Sequence, residues 1–376
     1  MGSNLGDRLK YLQKATDLIF ERIGQICRIS RVYKSSAMGF AGDDFLNAVV
    51  HCKTILTADQ VMPSLLLIEK ELGRQRPFQD DENKTSKTYR SRTIDLDFLA
   101  FEDLMLEVES LTLPHPRMQQ RLFVLQPFLE VAPDWVHPRL NLNLSNLKSQ
   151  CPDSVIPEAI HQVLVNPADA FDFNSIGYMA IEGNIGAGKT SLAQMIARDF
   201  KGKLILERFA QNPFLPEFYK NPKRYALSLE MSFLADRFQQ LAEQNAQYDL
   251  FNDLIITDYD RYKSLIFAKI TLTDHEFDLY QKFFHLMHRE LPRPKVYVYL
   301  VQSTKRLLDN IMHRGRSYEQ SIDAGYLQKI HAGYMAHLES EMHQGPVIRI
   351  DLNDLDFMNR RNDYLNILRQ IKAHSV

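Results

Sequence analysis

The run Ile181-Glu182-Gly183-Asn184-Ile185-Gly186-Ala187-Gly188-Lys189-Thr190 fits the G-x-x-x-x-G-K-[ST] pattern of a phosphate-binding loop. It constrains the fold tightly, because such a loop works only between a strand and the N-terminus of a helix. The glycines let backbone N–H groups turn in around phosphate oxygens. The lysine reaches the β- and γ-phosphates, and the threonine hydroxyl ligates Mg²⁺. The flanks agree: Tyr178-Met179-Ala180-Ile181 reads as a short apolar strand, and residues 191–197 as the helix after the loop. A glycine-rich surface turn would not need that context. This part of the chain is expected to bind a nucleoside triphosphate.

At 376 residues the chain exceeds one ordinary domain and suits two. A composition of 45% hydrophobic and 24% charged residues provides material for two cores. The net charge of −2 argues against a nucleic-acid binder working through a basic face, so small substrates are expected. Cys27, Cys52 and Cys151 are far apart and form no C-x-x-C, which reads as reduced thiols and not as a zinc site. No apolar run approaches the length that spans a bilayer. The polar start, residues 2–8, does not read as a signal peptide. The expectation is a cytoplasmic protein.

Residues 7–23 and 58–72 carry apolar positions at helical spacing, while 26–33, 45–53 and 93–101 read as strands. A polar stretch, 74–90, reads as a long loop. Residues 1–152 thus mix strands and helices in the α+β manner. The pattern weakens over 153–176, around Pro157 and Pro167, and this is expected to be a linker in which 155–165 could form a short helix. From 177 to 376 strands at 203–207, 254–258, 296–301 and 347–351 alternate with helices. That order implies an α/β domain with a parallel sheet covered on both faces.

Glu207 ends the apolar strand 203–206, so its carboxylate emerges at the edge where open α/β sheets bind ligands. It could take the proton of an acceptor hydroxyl or cap the next turn. Asp258 emerges similarly, where a second acidic group helps position Mg²⁺. Arg314 and Arg316 suit a transferring phosphoryl group, or a solvated helix end. Together with the loop, these residues resemble the deoxyribonucleoside kinases, from about Tyr178 to the C-terminus. The resemblance implies that Glu207 is the general base and that Arg314 and Arg316 belong to a lid. It implies that Tyr219 and Glu319 hold the sugar 3′-hydroxyl, that Arg237 recognises the base, and that the protein is a homodimer paired through long helices. Two positions depart from the family. Glu230 stands where a glutamine is usual, which points toward a base with an exocyclic amine such as deoxyadenosine. In Asp258-Tyr259-Asp260-Arg261 the family's arginine next to the acid is absent, unless Arg261 substitutes for it.

In the first half, Asp95 and Asp97 of Arg92-Thr93-Ile94-Asp95-Leu96-Asp97 share one strand face, roughly 7 Å apart. Two such carboxylates can share one or two Mg²⁺ ions that gather triphosphate oxygens, or simply face solvent. With Gly2-Ser3-Asn4-Leu5-Gly6-Asp7, Phe45-Leu46-Asn47 and Pro114-His115-Pro116-Arg117-Met118, the pair resembles 6-hydroxymethyl-7,8-dihydropterin pyrophosphokinase. The resemblance, from Gly2 to about Pro152, implies a ferredoxin-like α+β fold acting in folate synthesis. It implies that Asp95 and Asp97 bind Mg²⁺ and that Phe45, Asn47 and Phe123 contact the pterin. Glu69, Arg74, Arg76, Arg92, His115 and Arg121 would contact ATP or its phosphates. The family has an apolar strand just before Gly-Ser-Asn, which this sequence lacks, and a start lying upstream is the expectation.

These features imply a bifunctional enzyme. One half transfers pyrophosphate from ATP to a hydroxymethyl dihydropterin, releasing AMP. The other phosphorylates a deoxynucleoside 5′-hydroxyl, releasing ADP. A kinase with a degenerate first domain, and a nucleotide sensor without turnover, stay open as alternatives at this point.

Overall fold

Apolar residues at helical spacing become the inner faces of the first two long helices, and an apolar run becomes the central strand of a parallel sheet. The computed structural model describes residues 1–37, 42–74, 91–209, 212–246, 254–288, 292–340 and 345–374. The chain divides into two units, Met1–Phe171 and Asp172–Val376.

The first unit contains β1 (Gly2–Ser3), α1 (Arg8–Arg22), β2 (Gln25–Ile29), β3 (Tyr33–Ser35), β4 (Phe45–Asn47), β5 (Val50–Lys53), α2 (Ala58–Glu71), β6 (Leu106–Val108), β7 (Leu111–Leu113), α3 (Leu122–Val131), β8 (Val136–His137), β9 (Leu142–Asn143), α4 (Leu144–Ser149) and β10 (Glu158–Ala159). Helix α1 is capped by the Asp7 side chain, and α2 by a Thr57–Gln60 capping box. Leu12, Ile19, Val61, Leu65 and Ile68 from these helices pack with Val32, Leu46, Ile94 and Leu96 in one core. The antiparallel sheet runs β1-β4-β3-β10.

Residues 26–33 and 45–53, expected as single strands, are each broken in two. The break lets β3 and β4 pair in that sheet while β2 and β5 pair as a separate ribbon, with the Ser30 hydroxyl accepting from the Val49 N–H at 2.9 Å between them. Residues 93–101 do not form the expected strand. They are held by one antiparallel bridge, Asp95 to Gly2, because β1 offers only two residues to pair with. Gly2 and Ser3, within the Gly-Ser-Asn run, form that short β1 and pair with β4. The expected linker is partly built into the first unit: β10 adds to the sheet beside β3 in place of the helix considered for 155–165. Two-residue strands carry too little periodicity to be read from sequence.

The second unit contains β11 (Tyr178–Gly183), α5 (Lys189–Phe200), β12 (Lys203–Ile205), α6 (Leu215–Lys220), α7 (Pro222–Ala246), β13 (Ile255–Thr257), α8 (Lys263–Thr271), α9 (Asp274–Met287), β14 (Val296–Val301), α10 (Thr304–Arg314), α11 (Ala324–Leu338), β15 (Val347–Asp351) and α12 (Arg361–Ala373). The five strands are all parallel in the order β12-β13-β11-β14-β15, as the alternating pattern predicts. Every residue of β11 is buried. The phosphate-binding loop leaves the C-terminal end of this central strand, where helices on both faces leave a crevice.

Candidate active sites

The loop from Gly183 to Gly188 needs its glycines for space. Gly183 has φ +152°, and a Cβ there would lie 2.8 Å from the Leu300 carbonyl oxygen. Asn310 steadies the loop by donating to the Gly186 carbonyl at 2.9 Å, and Asn184 donates to Leu327 at 2.7 Å. Ile185 and Ala187 complete the turn into α5. Lys189 folds back so that its ammonium donates to the Gly183 and Asn184 carbonyls, both at 2.9 Å. Burial, and then the positive charge of Lys263, lower its pKa to about 8.

Beside Lys189, the segments that follow β12 and β13, with the first turn of α5 and the middle of α7, bring four expected residues together. The Thr190 hydroxyl donates to Asp258 Oδ2 at 2.5 Å, and Asp258 Oδ1 accepts the Glu207 backbone N–H at 2.8 Å. Glu207 itself is held by two cations. Its Oε1 accepts from Arg237 Nε and Nη2 at 2.9 and 2.5 Å, and its Oε2 accepts from Lys263 Nζ at 2.6 Å. Burial favours the neutral carboxyl, but Lys263 and then Arg237 outweigh it and hold the group at about 2. Glu207 is therefore a fixed anion.

Lys263 was not picked out from sequence. Its signal is burial: α8 is apolar or small on most sides, and a lysine near its first turn needs a partner. Arg261, the candidate substitute for the family's arginine, turns elsewhere and donates to the His288 carbonyl at 2.9 Å. Lys263, not Arg261, joins Arg237 as the second cation at Glu207.

A second group gathers the expected lid and sugar-binding residues. Arg314 pairs with Glu319 Oε2, and Arg316 with Glu319 Oε1 at 3.1 Å. Arg316 also lies over the Phe209 ring, 4.0 Å from its centroid. Tyr219 stacks on Tyr318, and the Glu319 charge adds to burial in raising the Tyr219 pKa. Glu230 is buried on α7, where Thr271 donates to its Oε1 at 3.1 Å. Burial raises its pKa to about 7.

In the first unit Ile94 and Leu96 are buried while Asp95 and Asp97 face outward, the expected alternation. Asp95 is paired with both Arg74 and Arg92, the latter at 2.6 Å. Arg74 also pairs with buried Glu69, whose Oε1 accepts the Leu96 N–H at 2.7 Å. His115 belongs to the same neighbourhood. Burial lowers its pKa, Arg121 and Arg117 add to that, and Asp97 and Asp95 oppose it. Arg92 lies over the Phe45 ring and Arg121 over Phe123, each 5.6 Å from the centroid. Asn47 is buried and donates to Ser35 at 2.8 Å. Arg76 lies outside the described residues.

A family model described as deoxynucleoside kinase matches residues 179–376, and one described as 7,8-dihydro-6-hydroxymethylpterin-pyrophosphokinase matches residues 1–133. The chain belongs to both families, one in each unit. A deoxyguanosine kinase of Bacillus subtilis is 35% identical over 202 residues, covering 53% of this chain and 98% of the relative. A 2-amino-4-hydroxy-6-hydroxymethyldihydropteridine pyrophosphokinase of Aquifex aeolicus is 34% identical over 151 residues, covering 40% of this chain and 88% of the relative. A deoxyadenosine/deoxycytidine kinase, also of B. subtilis, is 30% identical over 208 residues, covering 53% and 93%. The chain is thus a bifunctional transferase of phosphorus-containing groups.

The Thr190 hydroxyl and the Asp258 carboxylate meet as hard oxygen donors beside the phosphate-binding loop, which fits Mg²⁺ held partly by nucleotide oxygens. Asp95 and Asp97 offer the same donor type, and Asp95 would have to exchange an arginine for the ion.

Proposed function

We propose that the first unit transfers a pyrophosphoryl group from ATP to 6-hydroxymethyl-7,8-dihydropterin, releasing AMP, as a step of folate synthesis. We also propose that the second transfers the γ-phosphoryl group of ATP to the 5′-hydroxyl of a deoxynucleoside, releasing ADP. The observation that carries the second reading is the convergence of Glu207, Lys263, Arg237, Asp258 and Thr190 beside Lys189. That set can hold a hydroxyl on one side and a triphosphate on the other. Glu207, kept ionised, orients the hydroxyl and takes its proton late, once the new bond has made the hydroxyl acidic. Lys189, Arg314 and Arg316 offset charge on the transferring group. Thr190 and Asp258 would hold Mg²⁺, which would neutralise phosphate charge there. Tyr219 and Glu319 hold the sugar, and Glu230 with Arg237 faces the base. Deoxyadenosine is the favoured substrate on the strength of Glu230 alone, since the relatives are named for deoxyguanosine and for deoxyadenosine and deoxycytidine.

In the first unit, the antiparallel sheet with α1 and α2 in one core supports a ferredoxin-like reading. Asp95 and Asp97 bind Mg²⁺; Glu69, Arg74, Arg92, His115 and Arg121 serve ATP; Phe45, Asn47 and Phe123 serve the pterin. The first domain, read in the sequence as 1–152, extends through β10 to Phe171, and the second, read as 177–376, takes in Asp172 onward. The protein works in the cytoplasm, and among the described residues no helix is long and apolar enough to cross a membrane. It pairs as a homodimer through the kinase helices, a reading supported by Leu279, Phe283 and Leu286 lying exposed at helical spacing on α9. Phosphorus NMR of reactions containing ATP and one acceptor at a time tests the chemistry. A pterin pyrophosphate and a nucleoside 5′-monophosphate are expected. Failure of either product to form would remove that half of the reading.

A further inference from the structure

The run Gly2-Ser3-Asn4-Leu5-Gly6-Asp7 opens the first unit, and the proposed chemistry gives its polar side chains no role. Their contacts follow from where the backbone ladder stops. Gly2 exchanges both backbone hydrogen bonds with Asp95, at 2.9 and 2.7 Å, and the Asn4 N–H donates to the Arg92 carbonyl at 3.2 Å. The chain then turns into α1 through Gly6, at φ +68°. The Asn4 side chain carries the pairing one step further: its Oδ1 accepts the Arg92 N–H at 2.8 Å. Its Nδ2 donates to the Asp43 carbonyl and to the Ser91 hydroxyl, both at 3.2 Å. Asn4 is 1% exposed, and the oxygen and both hydrogens of its amide are engaged. One buried amide thus joins the segment leading into Asp95 and Asp97 to the segment leading into Phe45 and Asn47.

What this amide fixes is Arg92. The Arg92 Nη1 pairs with Asp95 Oδ2 at 2.6 Å, and its guanidinium lies over the Phe45 ring, so one cation spans the phosphate side and the pterin side. A guanidinium in that place can exchange Asp95 for a phosphate oxygen by turning about its own stem, provided its backbone does not move. The neighbouring groups have supports of their own. Asp95 is held by Gly2 through the backbone, Leu96 by Glu69 at 2.7 Å, and Asn47 by Ser35 at 2.8 Å. Loss of the Asn4 amide therefore loosens Arg92 and leaves the rest in place.

We propose that Asn4 is a positioning residue for pyrophosphoryl transfer. Sealed from both substrates, it acts through Arg92, whose backbone it fixes so that the guanidinium stays between Asp95 and the Phe45 ring. This deepens the pyrophosphokinase reading above and rests on it.

The test is single-turnover AMP release by the full chain, with ATP, Mg²⁺ and the hydroxymethyl dihydropterin, in wild type, Asn4→Ala, Arg92→Ala and the double variant. A reacting-site group displaced by about 1 Å costs about 100-fold, so Asn4→Ala should slow the step by about that factor. The double variant should match Arg92→Ala to within about twofold, because nothing is left for Asn4 to aim. Pterin affinity, measured by calorimetry beside a non-hydrolysable ATP analogue, should be nearly unchanged in Asn4→Ala, a split that general loosening of the unit would not produce. Trp135 fluorescence reports whether the first unit is folded. Ser91→Ala, at an exposed residue, repeats the comparison with one contact removed: a smaller loss that vanishes in the Arg92→Ala background. An unslowed Asn4→Ala, losses that multiply in the double variant, or an equal loss of pterin affinity would overturn the inference while leaving the pyrophosphokinase reading intact. No pterin-dependent AMP from the wild type would overturn both.

Discussion

Replacing Lys263 with methionine removes one of the two cations that hold Glu207 and keeps a side chain of similar length. The ammonium lies 2.6 Å from Glu207 Oε2 in a buried pair. Removing one partner of a buried pair costs about 3–5 kcal/mol, mostly because the surviving charge stays desolvated. Here Arg237 remains, bonded twice to Glu207 at 2.9 and 2.5 Å, so the low end, about 3 kcal/mol, is expected. Relief of the repulsion between Lys263 and Lys189 offsets part of that loss. Denaturant titration followed by far-UV circular dichroism reads the change. The single tryptophan of the sequence, Trp135, lies in the first unit, so its fluorescence transition is an internal reference that should not move. The double variant Glu207→Gln/Lys263→Met should recover most of the loss. The sign of the pH effect follows from Glu207 being lowered from 4.5 to about 2. Its stabilising contribution is complete above 4.5 and is lost as pH falls toward 2; in the variant the folded-state pKa is less depressed, so the loss is smaller and is complete at a higher pH. A shift below about 1 kcal/mol, or an additive double variant, would refute the claim that Lys263 and Glu207 form one buried unit.

Asp258→Asn weakens the contacts to both Thr190 and the Glu207 backbone, and ADP-forming turnover should fall about 100-fold while pterin-dependent AMP release is unchanged. Equal loss of both products would mean that the substitution acts through overall folding. Leu286→Glu places a charge in the exposed α9 stripe and should shift the mass measured by light scattering from dimer toward monomer. An unchanged mass would remove α9 from the interface.

Local pattern made much of this molecule legible. The phosphate-binding loop and the five parallel strands were readable because a contiguous motif and alternating apolar runs encode them within a few residues. Glu207 and Asp258 were readable because each ends such a strand. The alternation of Ile94, Asp95, Leu96 and Asp97 was readable for the same reason, although only a single bridge forms there. What sequence did not give is who meets whom across the fold. Lys263 reaches Glu207 over 56 residues, while Arg261, two residues before it, turns to His288. Arg237 was expected at the base alone, yet its nearest partner is Glu207. Such pairings are set by how α7 and α8 pack on the sheet, which spacing along one element cannot report.

The central claim is that one chain carries two independent phosphorus-transfer sites. Its most direct measurement is AMP and ADP release from ATP by the whole chain, with the hydroxymethyl dihydropterin and a deoxynucleoside in the same tube. The comparison is between wild type, Asp97→Ala and Lys189→Ala. Asp97→Ala should lose AMP and keep ADP, and Lys189→Ala should lose ADP and keep AMP. Loss of both products in either variant, or no pterin-dependent AMP in the wild type, would contradict the account.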